Sequence, residues 1–273
     1  MPALDLPEKK FLASDSTVLS FLEFGFGRAT LLVHGSLCDY RYWRWQMAAM
    51  GEYGRVISPS LRSYWPAPPD TICTECTVTR QAQDLVELVS ALSPDEPVNV
   101  VGHSRGAHVA MELALMAPDR INSLVLADPG MNLAGIGNNR PFIQQAALAI
   151  EQGDTENGLA TFIDAVSGED TWRRMTGWFK TMARDNAHTL LWQSREAGTD
   201  VEAARYRTID CPVLLIGGQQ SPGRYKQIIG ALQEHFKTVR CDTIPMASHG
   251  MNLANPKAFN RKVLEFFSQT ETA

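Results

Sequence analysis

The segment of this 273-residue chain best suited to chemistry is the pentapeptide Gly102-His103-Ser104-Arg105-Gly106. A serine hydroxyl becomes a useful nucleophile when it is held clear of its neighbours beside a base. The flanking glycines permit a very tight turn, because a side chain at either position would meet nearby backbone. The pattern therefore predicts a strained Ser104 that points at the N-terminus of a following helix, where a developing negative charge is favoured.

The residues around the pentapeptide predict the elements that would hold this serine in place. Val98 to Val101 form a short β-branched run, which is typical of a buried strand. After the turn, small and apolar residues recur at helical spacing, at Ala107, Ala110, Met111 and Ala114. A Gly-x-Ser-x-Gly pattern alone is weak, so the predicted strand and helix are what make it informative.

Strand-like and helical patterns alternate along most of the chain, which predicts a mostly parallel sheet with helices on both faces. An N-terminal hairpin is expected over residues 10–24, followed by apolar strands at 29–33, 56–59, 98–101, 121–127, 212–216 and 238–244. Strand signals stop between residues 131 and 208, where helical stretches rich in aromatic residues appear. We therefore expect a core of residues 1–130 and 209–273, with residues 131–208 inserted after the sixth strand as a helical cap.

Composition and motif spacing narrow the classes of partner. The net charge is −5, and no block of basic residues suggests nucleic-acid binding. No apolar run approaches the roughly 20 residues that cross a bilayer, and the N-terminus lacks a signal pattern. The protein is therefore expected in the cytoplasm. No cluster of residues has the spacing that metal ions need, and neither a metal nor an organic cofactor is expected. The five cysteines, including Cys73 and Cys76, are expected to be reduced.

Six further motifs occur in order along the chain: LLVHGS, RVISPSLRSYWP, VVGHSRGAHVA, LVLADPG, CPVLLIGG and SHGMN. They span nearly the whole chain outside residues 131–208. In sequence and order they resemble the capped, esterase- and lactonase-like branch of the α/β-hydrolase superfamily. The resemblance implies an α/β-hydrolase fold and a serine hydrolase that cleaves an ester or lactone through an acyl-enzyme intermediate.

The resemblance also implies a role for each of three side chains. Ser104 would be the nucleophile, and His249, in the loop after the last predicted strand, would be its base. The commonest position for the acid is empty, because the strand at 212–216 is followed by Gly217-Gly218-Gln219-Gln220-Ser221. A known variant of the family carries the acid after the preceding core strand, where Asp128 stands. Asp128 is therefore the expected acid, the alternative being an aspartate that only forms a turn.

The family also uses two backbone N–H groups as an oxyanion hole. By position these belong to Arg105, directly after the nucleophile, and to Ser36, with Leu37 as the alternative second donor. Leu37, Trp178 and Phe179 are the expected substrate-binding residues. The aromatic composition of the cap favours a small, moderately apolar substrate.

Several other activities of the fold stay open. Carbon–carbon bond hydrolysis of a dienoic diketone and cofactor-free perhydrolysis would use the same three side chains. Epoxide hydrolases and dehalogenases are disfavoured, because those relatives carry aspartate where this chain has Ser104. A ligand receptor or degenerate scaffold is the alternative outside enzymes.

Overall fold

An eight-stranded sheet forms the centre of the computed structural model, which describes residues 5–69, 76–136, 141–196 and 199–270. The strands are β1 (Lys9–Leu12), β2 (Val18–Phe24), β3 (Ala29–Val33), β4 (Arg55–Pro59), β5 (Val98–His103), β6 (Ile121–Ala127), β7 (Val213–Gly218) and β8 (Val239–Ile244). Their order is β1-β2-β4-β3-β5-β6-β7-β8. The pairs β1–β2 and β2–β4 are antiparallel, and every other pair is parallel. The predicted hairpin and the predicted mostly parallel sheet are confirmed.

Helices cover both faces of this sheet. They are α1 (Met47–Gly51), α2 (Val78–Leu92), α3 (Arg105–Met116), α4 (Pro141–Glu151), α5 (Thr155–Ser167), α6 (Thr171–Arg174), α7 (Gly177–Asp185), α8 (Thr189–Glu196), α9 (Gly223–Gln233), α10 (Met251–Ala254) and α11 (Pro256–Thr270). Helix α2 buries an apolar stripe that includes Ala82, Leu85 and Val89. None of the helices within the described ranges combines the length and the apolar character needed to cross a membrane.

Neighbouring residues of the central strands enter opposite apolar layers. Val100 of β5 packs with residues of α2, α3 and α9, whereas Val101 packs with residues of α1 and α11. Successive side chains of a strand point to opposite faces of the sheet. Because both faces are covered here, these strands are largely apolar on both faces rather than alternating, with a few buried polar residues such as Asn99 and Ser123, which hydrogen-bond to each other.

Helices α4 to α8 lie between β6 and β7, where the sequence predicts a break in the alternation. Helix α4 packs against α5 and α8, and α5 packs against α6 and α7. Phe162 of α5 and Phe179 of α7 belong to the same apolar cluster as the core residue Trp43. The fold therefore has a helical insertion, and the division into units at residues 131 and 208 stays a prediction.

The cysteines only partly follow the expectation of reduced thiols. Cys38, Cys211 and Cys241 are free. Cys76 is disulfide-bonded, so the expectation is wrong for this residue. Cys73 lies outside the described residues.

The turn between β5 and α3 brings helix and sheet unusually close. Ser104 has φ 55° and ψ −124°, a conformation that costs a non-glycine residue free energy. A Cβ atom at Gly106 would lie 2.3 Å from the carbonyl oxygens of both Val33 and His34 on the neighbouring strand segment. Glycine at this position therefore lets α3 start directly against β3.

We expect the substitution Gly106→Ala to lower the free energy of unfolding by about 1–3 kcal/mol, because backbone must move to admit the methyl group. Gly230→Ala is the matched control, since Gly230 lies within α9 with open space around its Cα. Alanine there should raise stability by about 0.5–1 kcal/mol, through its higher helix propensity. Denaturant unfolding measures both changes. A Gly106→Ala protein as stable as the wild type would contradict this account of the turn.

Candidate active site

Ser104 stands at the carboxyl end of β5, tied to the end of the neighbouring strand β6. Its backbone N–H donates to the carbonyl oxygen of Ala127 at 2.9 Å, and its own carbonyl oxygen accepts from the N–H of Gly130 at 2.9 Å. A Cβ atom at Gly130 would lie 2.7 Å from the Ser104 hydroxyl oxygen. The missing side chain at Gly130 therefore leaves room around the hydroxyl.

The loop after β8 brings His249 to Asp128, which follows β6 directly. Nδ1 of His249 lies 3.2 Å from Oδ2 of Asp128, and both side chains are buried. An Nδ1–H that donates to the carboxylate leaves Nε2 without a proton and able to accept one. His249 and Ser104 line the same small cavity. The structure therefore brings together the three side chains that the resemblance singles out.

Ser221 gives Asp128 a partner that sequence reasoning missed. Its hydroxyl donates to Oδ2 of Asp128 at 2.5 Å, from the loop after β7. Burial raises the pKa of Asp128, and this hydrogen bond opposes that rise because it favours the ionised form. The sequence shows only that this loop has no carboxylate. The presence of Ser221 in this loop was the one available indication of a hydrogen-bond donor to an acid that follows the neighbouring strand.

Tyr225 of α9 is a second residue that the sequence did not assign to the site. Helical spacing places it on the apolar side of α9, and its side chain is buried. Its ring stacks on the imidazole of His249, with ring centroids 4.3 Å apart and planes inclined by 15°. Its hydroxyl oxygen lies 3.3 Å from Nε2 of His249. Periodicity cannot distinguish such a tyrosine from a core residue, although a buried tyrosine hydroxyl usually has a polar partner.

His103 positions the backbone of the loop that carries His249. Its Nε2 lies 2.7 Å from the carbonyl oxygen of His249, so the ring donates there. Burial lowers the pKa of His103 to about 3, which keeps the ring neutral. Burial also lowers the pKa of His249, and the positive charge of Arg224 adds to that effect. The imidazole of His249 is therefore a neutral base at neutral pH.

The two expected oxyanion donors border Ser104. Within the described ranges, the backbone N–H groups of Ser36 and Arg105 donate no hydrogen bond. Such groups are available to bind a developing oxyanion. The hydroxyl of Ser36 donates to Oε1 of Gln193 on α8 at 2.6 Å. Leu37, the alternative second donor, is fully buried.

The side chain of Arg105 joins the helical insertion to the core. Its Nη2 lies 2.7 Å from Oε2 of Glu196 on α8. The other carboxylate oxygen of Glu196 accepts a 2.9 Å hydrogen bond from the backbone N–H of Val78, at the start of α2. One carboxylate of the insertion therefore contacts both the residue after Ser104 and a neighbouring core helix.

Two cavities meet at Ser104 and Ser36. The larger, of about 550 Å³, is lined by residues of α3, α9 and the insertion helices α4, α5 and α8. The smaller, of about 40 Å³, lies beside His249 and is partly apolar. Phe162 and Val166 of α5 line both. Ser104 therefore borders both a wide cavity and a narrow one.

The expected substrate-binding residues fall in different places. Phe179 lines the smaller cavity. Among the described residues that line the two cavities, neither Leu37 nor Trp178 occurs. The Trp178 ring instead lies 4.6 Å from the guanidinium carbon of Arg44. The described part of the chain also contains no group of three His, Cys, Asp or Glu side chains placed to hold a metal ion.

Comparison with known proteins agrees with this fold. The chain is 22% identical over 273 residues to (E)-2-((N-methylformamido)methylene)succinate hydrolase of Acinetobacter baylyi, covering 96% of this chain and 98% of that protein. It is 24% identical over 228 residues to esterase YbfF of Escherichia coli, covering 78% and 82%. A malate-bound thermophilic esterase from Thermogutta terrifontis superposes with a TM-score of 0.78 at 21% identity, covering 97% of this chain and 99% of that one. The model of the alpha/beta hydrolase family matches residues 30–262, so this chain belongs to that family.

Proposed function

We propose that the protein is a serine hydrolase that cleaves a carboxylic ester or lactone of a small, moderately apolar substrate. The observation that carries this proposal is the strained Ser104 beside the buried His249–Asp128 pair, at a shared cavity. The names of two similar proteins, esterase YbfF and (E)-2-((N-methylformamido)methylene)succinate hydrolase, support hydrolysis as the reaction type. Serine in place of an aspartate nucleophile argues against epoxide opening.

In the proposed reaction the hydroxyl oxygen of Ser104 attacks the carbonyl carbon while Nε2 of His249 takes the proton. Asp128 holds the imidazole in the correct tautomer and stabilises the imidazolium that forms. The oxyanion is bound by the backbone N–H groups of Ser36 and Arg105. His249 then protonates the leaving alkoxide, and water attacks the acyl-enzyme with His249 as base.

The nucleophile can be tested by covalent labelling. We expect a fluorophosphonate to label the wild type at Ser104, and Ser104→Ala to abolish both labelling and hydrolysis of aryl esters. His249→Ala should lower kcat by about 10⁴-fold or more, because members of such a group act as a unit. Mass spectrometry of the labelled peptide and a panel of p-nitrophenyl esters, lactones and dienoic diketones measure these effects. Ester turnover by Ser104→Ala at the wild-type rate would refute the mechanism, and turnover of the diketone alone would favour carbon–carbon hydrolysis.

The acid can be tested by Asp128→Asn, which preserves shape and removes charge. We expect kcat to fall by about 10³- to 10⁴-fold, because asparagine neither fixes the tautomer nor stabilises the imidazolium. Asp210→Asn is the matched control, since Asp210 pairs with Lys237 on the surface, and it should retain full activity. Steady-state kinetics with one neutral ester, beside circular dichroism of each variant, measure the difference. A folded Asp128→Asn protein with wild-type kcat would leave Asp128 as a turn residue.

The pH dependence of activity should respond to Arg224. The active pair is neutral His249 with ionised Asp128, so activity is lost as pH falls and the pair gains a proton. The positive charge of Arg224 lowers the pKa of both groups, and therefore Arg224→Gln should move the acid-side midpoint of kcat/KM to higher pH. The double variant Arg205→Gln/Glu112→Gln should leave the midpoint unchanged, because it removes both members of an ion pair and keeps the local charge as it was. A lower midpoint in Arg224→Gln would contradict the electrostatic account.

A further inference from the structure

Arg224, near the start of α9, lines the large cavity without a carboxylate partner among the described residues. One of its Nη2 hydrogens is donated to the carbonyl oxygen of Ala165 on α5. A guanidinium group has five N–H donors in a planar arrangement. Most of the hydrogen-bonding capacity of this cation is therefore unused by the protein.

The two other described arginines of the cavity differ in this respect. Arg105 pairs with Glu196 at 2.7 Å. Arg205 forms a two-pronged contact with Glu112, with Nη2–Oε2 at 2.7 Å and Nε–Oε1 at 3.1 Å. Both charges are compensated inside the protein. Among these three arginines, Arg224 alone lacks a carboxylate at ion-pair distance within the described residues, and the two unpaired carboxylates of the cavity lining, Asp200 and Glu202, are exposed to solvent.

Aromatic rings fix the position of this guanidinium close to the reacting groups. Its central carbon lies 4.9 Å from the ring centroid of Phe142 and 5.1 Å from that of Tyr225. Tyr225 in turn stacks on His249. One aromatic ring therefore separates the cation from the base. Arg224 and Ser104 line the same cavity, so one small molecule can contact both.

We infer that Arg224 binds a carboxylate of the substrate, so that the preferred substrate is an anionic carboxylic ester such as the half-ester of a short dicarboxylic acid. This inference rests on the proposed ester hydrolysis and names its substrate class. A carboxylate matches the planar donor geometry of arginine and can form two parallel hydrogen bonds with it. The cation is already held by Phe142 and Tyr225, so little conformational freedom is lost on binding. Phe142 and Phe162 would contact the short carbon chain between the two carbonyl groups.

The test compares anionic esters with neutral isosteres at pH 8, where His249 is neutral in every variant. Monophenyl glutarate is paired with phenyl methyl glutarate, which places the charge on the acyl side. In the second pair, para-acetoxybenzoate is compared with para-acetoxybenzamide, so that the negative charge lies on the alcohol side of the ester. In at least one pair the wild type should hydrolyse the anion with kcat/KM about 10- to 100-fold above its isostere.

The variants separate charge recognition from structural support. Arg224→Gln should abolish the preference and retain most of the rate on the neutral esters, and Arg224→Lys should keep part of the preference. The double variant Arg205→Gln/Glu112→Gln is the matched control, because it removes both members of an ion pair in the same cavity and leaves the net charge unchanged, and it should keep the full preference. Equal loss of rate on both members of each pair in Arg224→Gln would assign Arg224 a structural role and overturn the inference.

A binding measurement tests carboxylate binding to Arg224 independently of turnover. Glutarate should raise the melting temperature of the wild type and of Arg205→Gln/Glu112→Gln, and it should leave that of Arg224→Gln unchanged. If neutral and anionic esters are hydrolysed equally and glutarate gives no shift, the inference fails while the proposed function stands. If no ester is hydrolysed but glutarate stabilises only proteins that retain Arg224, the proposed function fails and the carboxylate site stands.

Discussion

The buried carboxylate of Asp128 is the group on which the arrangement of the site depends. Removing an ionised group from water costs several kcal/mol unless hydrogen bonds and opposite charge replace the lost solvent. The His249 ring and the Ser221 hydroxyl supply those contacts from loops that follow two other strands. Tyr225 closes the far side of the ring by stacking on it. The positions of four chain segments are thereby fixed around one side chain.

The parallel sheet makes this convergence possible. Strands β5, β6, β7 and β8 are consecutive neighbours, so their carboxyl ends meet along one edge. Ser104, Asp128, Ser221 and His249 each lie in the loop after one of these four strands. His249, in the loop after β8, reaches Asp128, which follows β6 two strands away, and the Ser221 hydroxyl contacts the same carboxylate from the loop after β7 between them.

Local patterns were sufficient to predict the strands, because a strand covered on both faces is largely apolar along its length and is bounded by turn residues. Ala29–Val33 and Ile121–Ala127 were predicted with the bounds that the structure has. The expected roles of Ser104, His249 and Asp128 depended on family resemblance, and the structure shows their proximity. Tyr225 and Ser221 could not be found this way, since their importance lies in contacts between distant segments. The same limit explains why Leu37 and Trp178, chosen by composition and position, do not line the described cavities.

Glu196 connects the helical insertion to the core beside Ser104. Its carboxylate spans the guanidinium of Arg105 and the first turn of α2, so α8 cannot move away from the core without giving up both contacts together. Arg105 directly follows Ser104 in the chain, and Ser104 and Arg105 line the same cavity as Glu196. Any change in the position of α8 would therefore be transmitted to the residue beside Ser104 through a direct ion pair rather than through the intervening backbone.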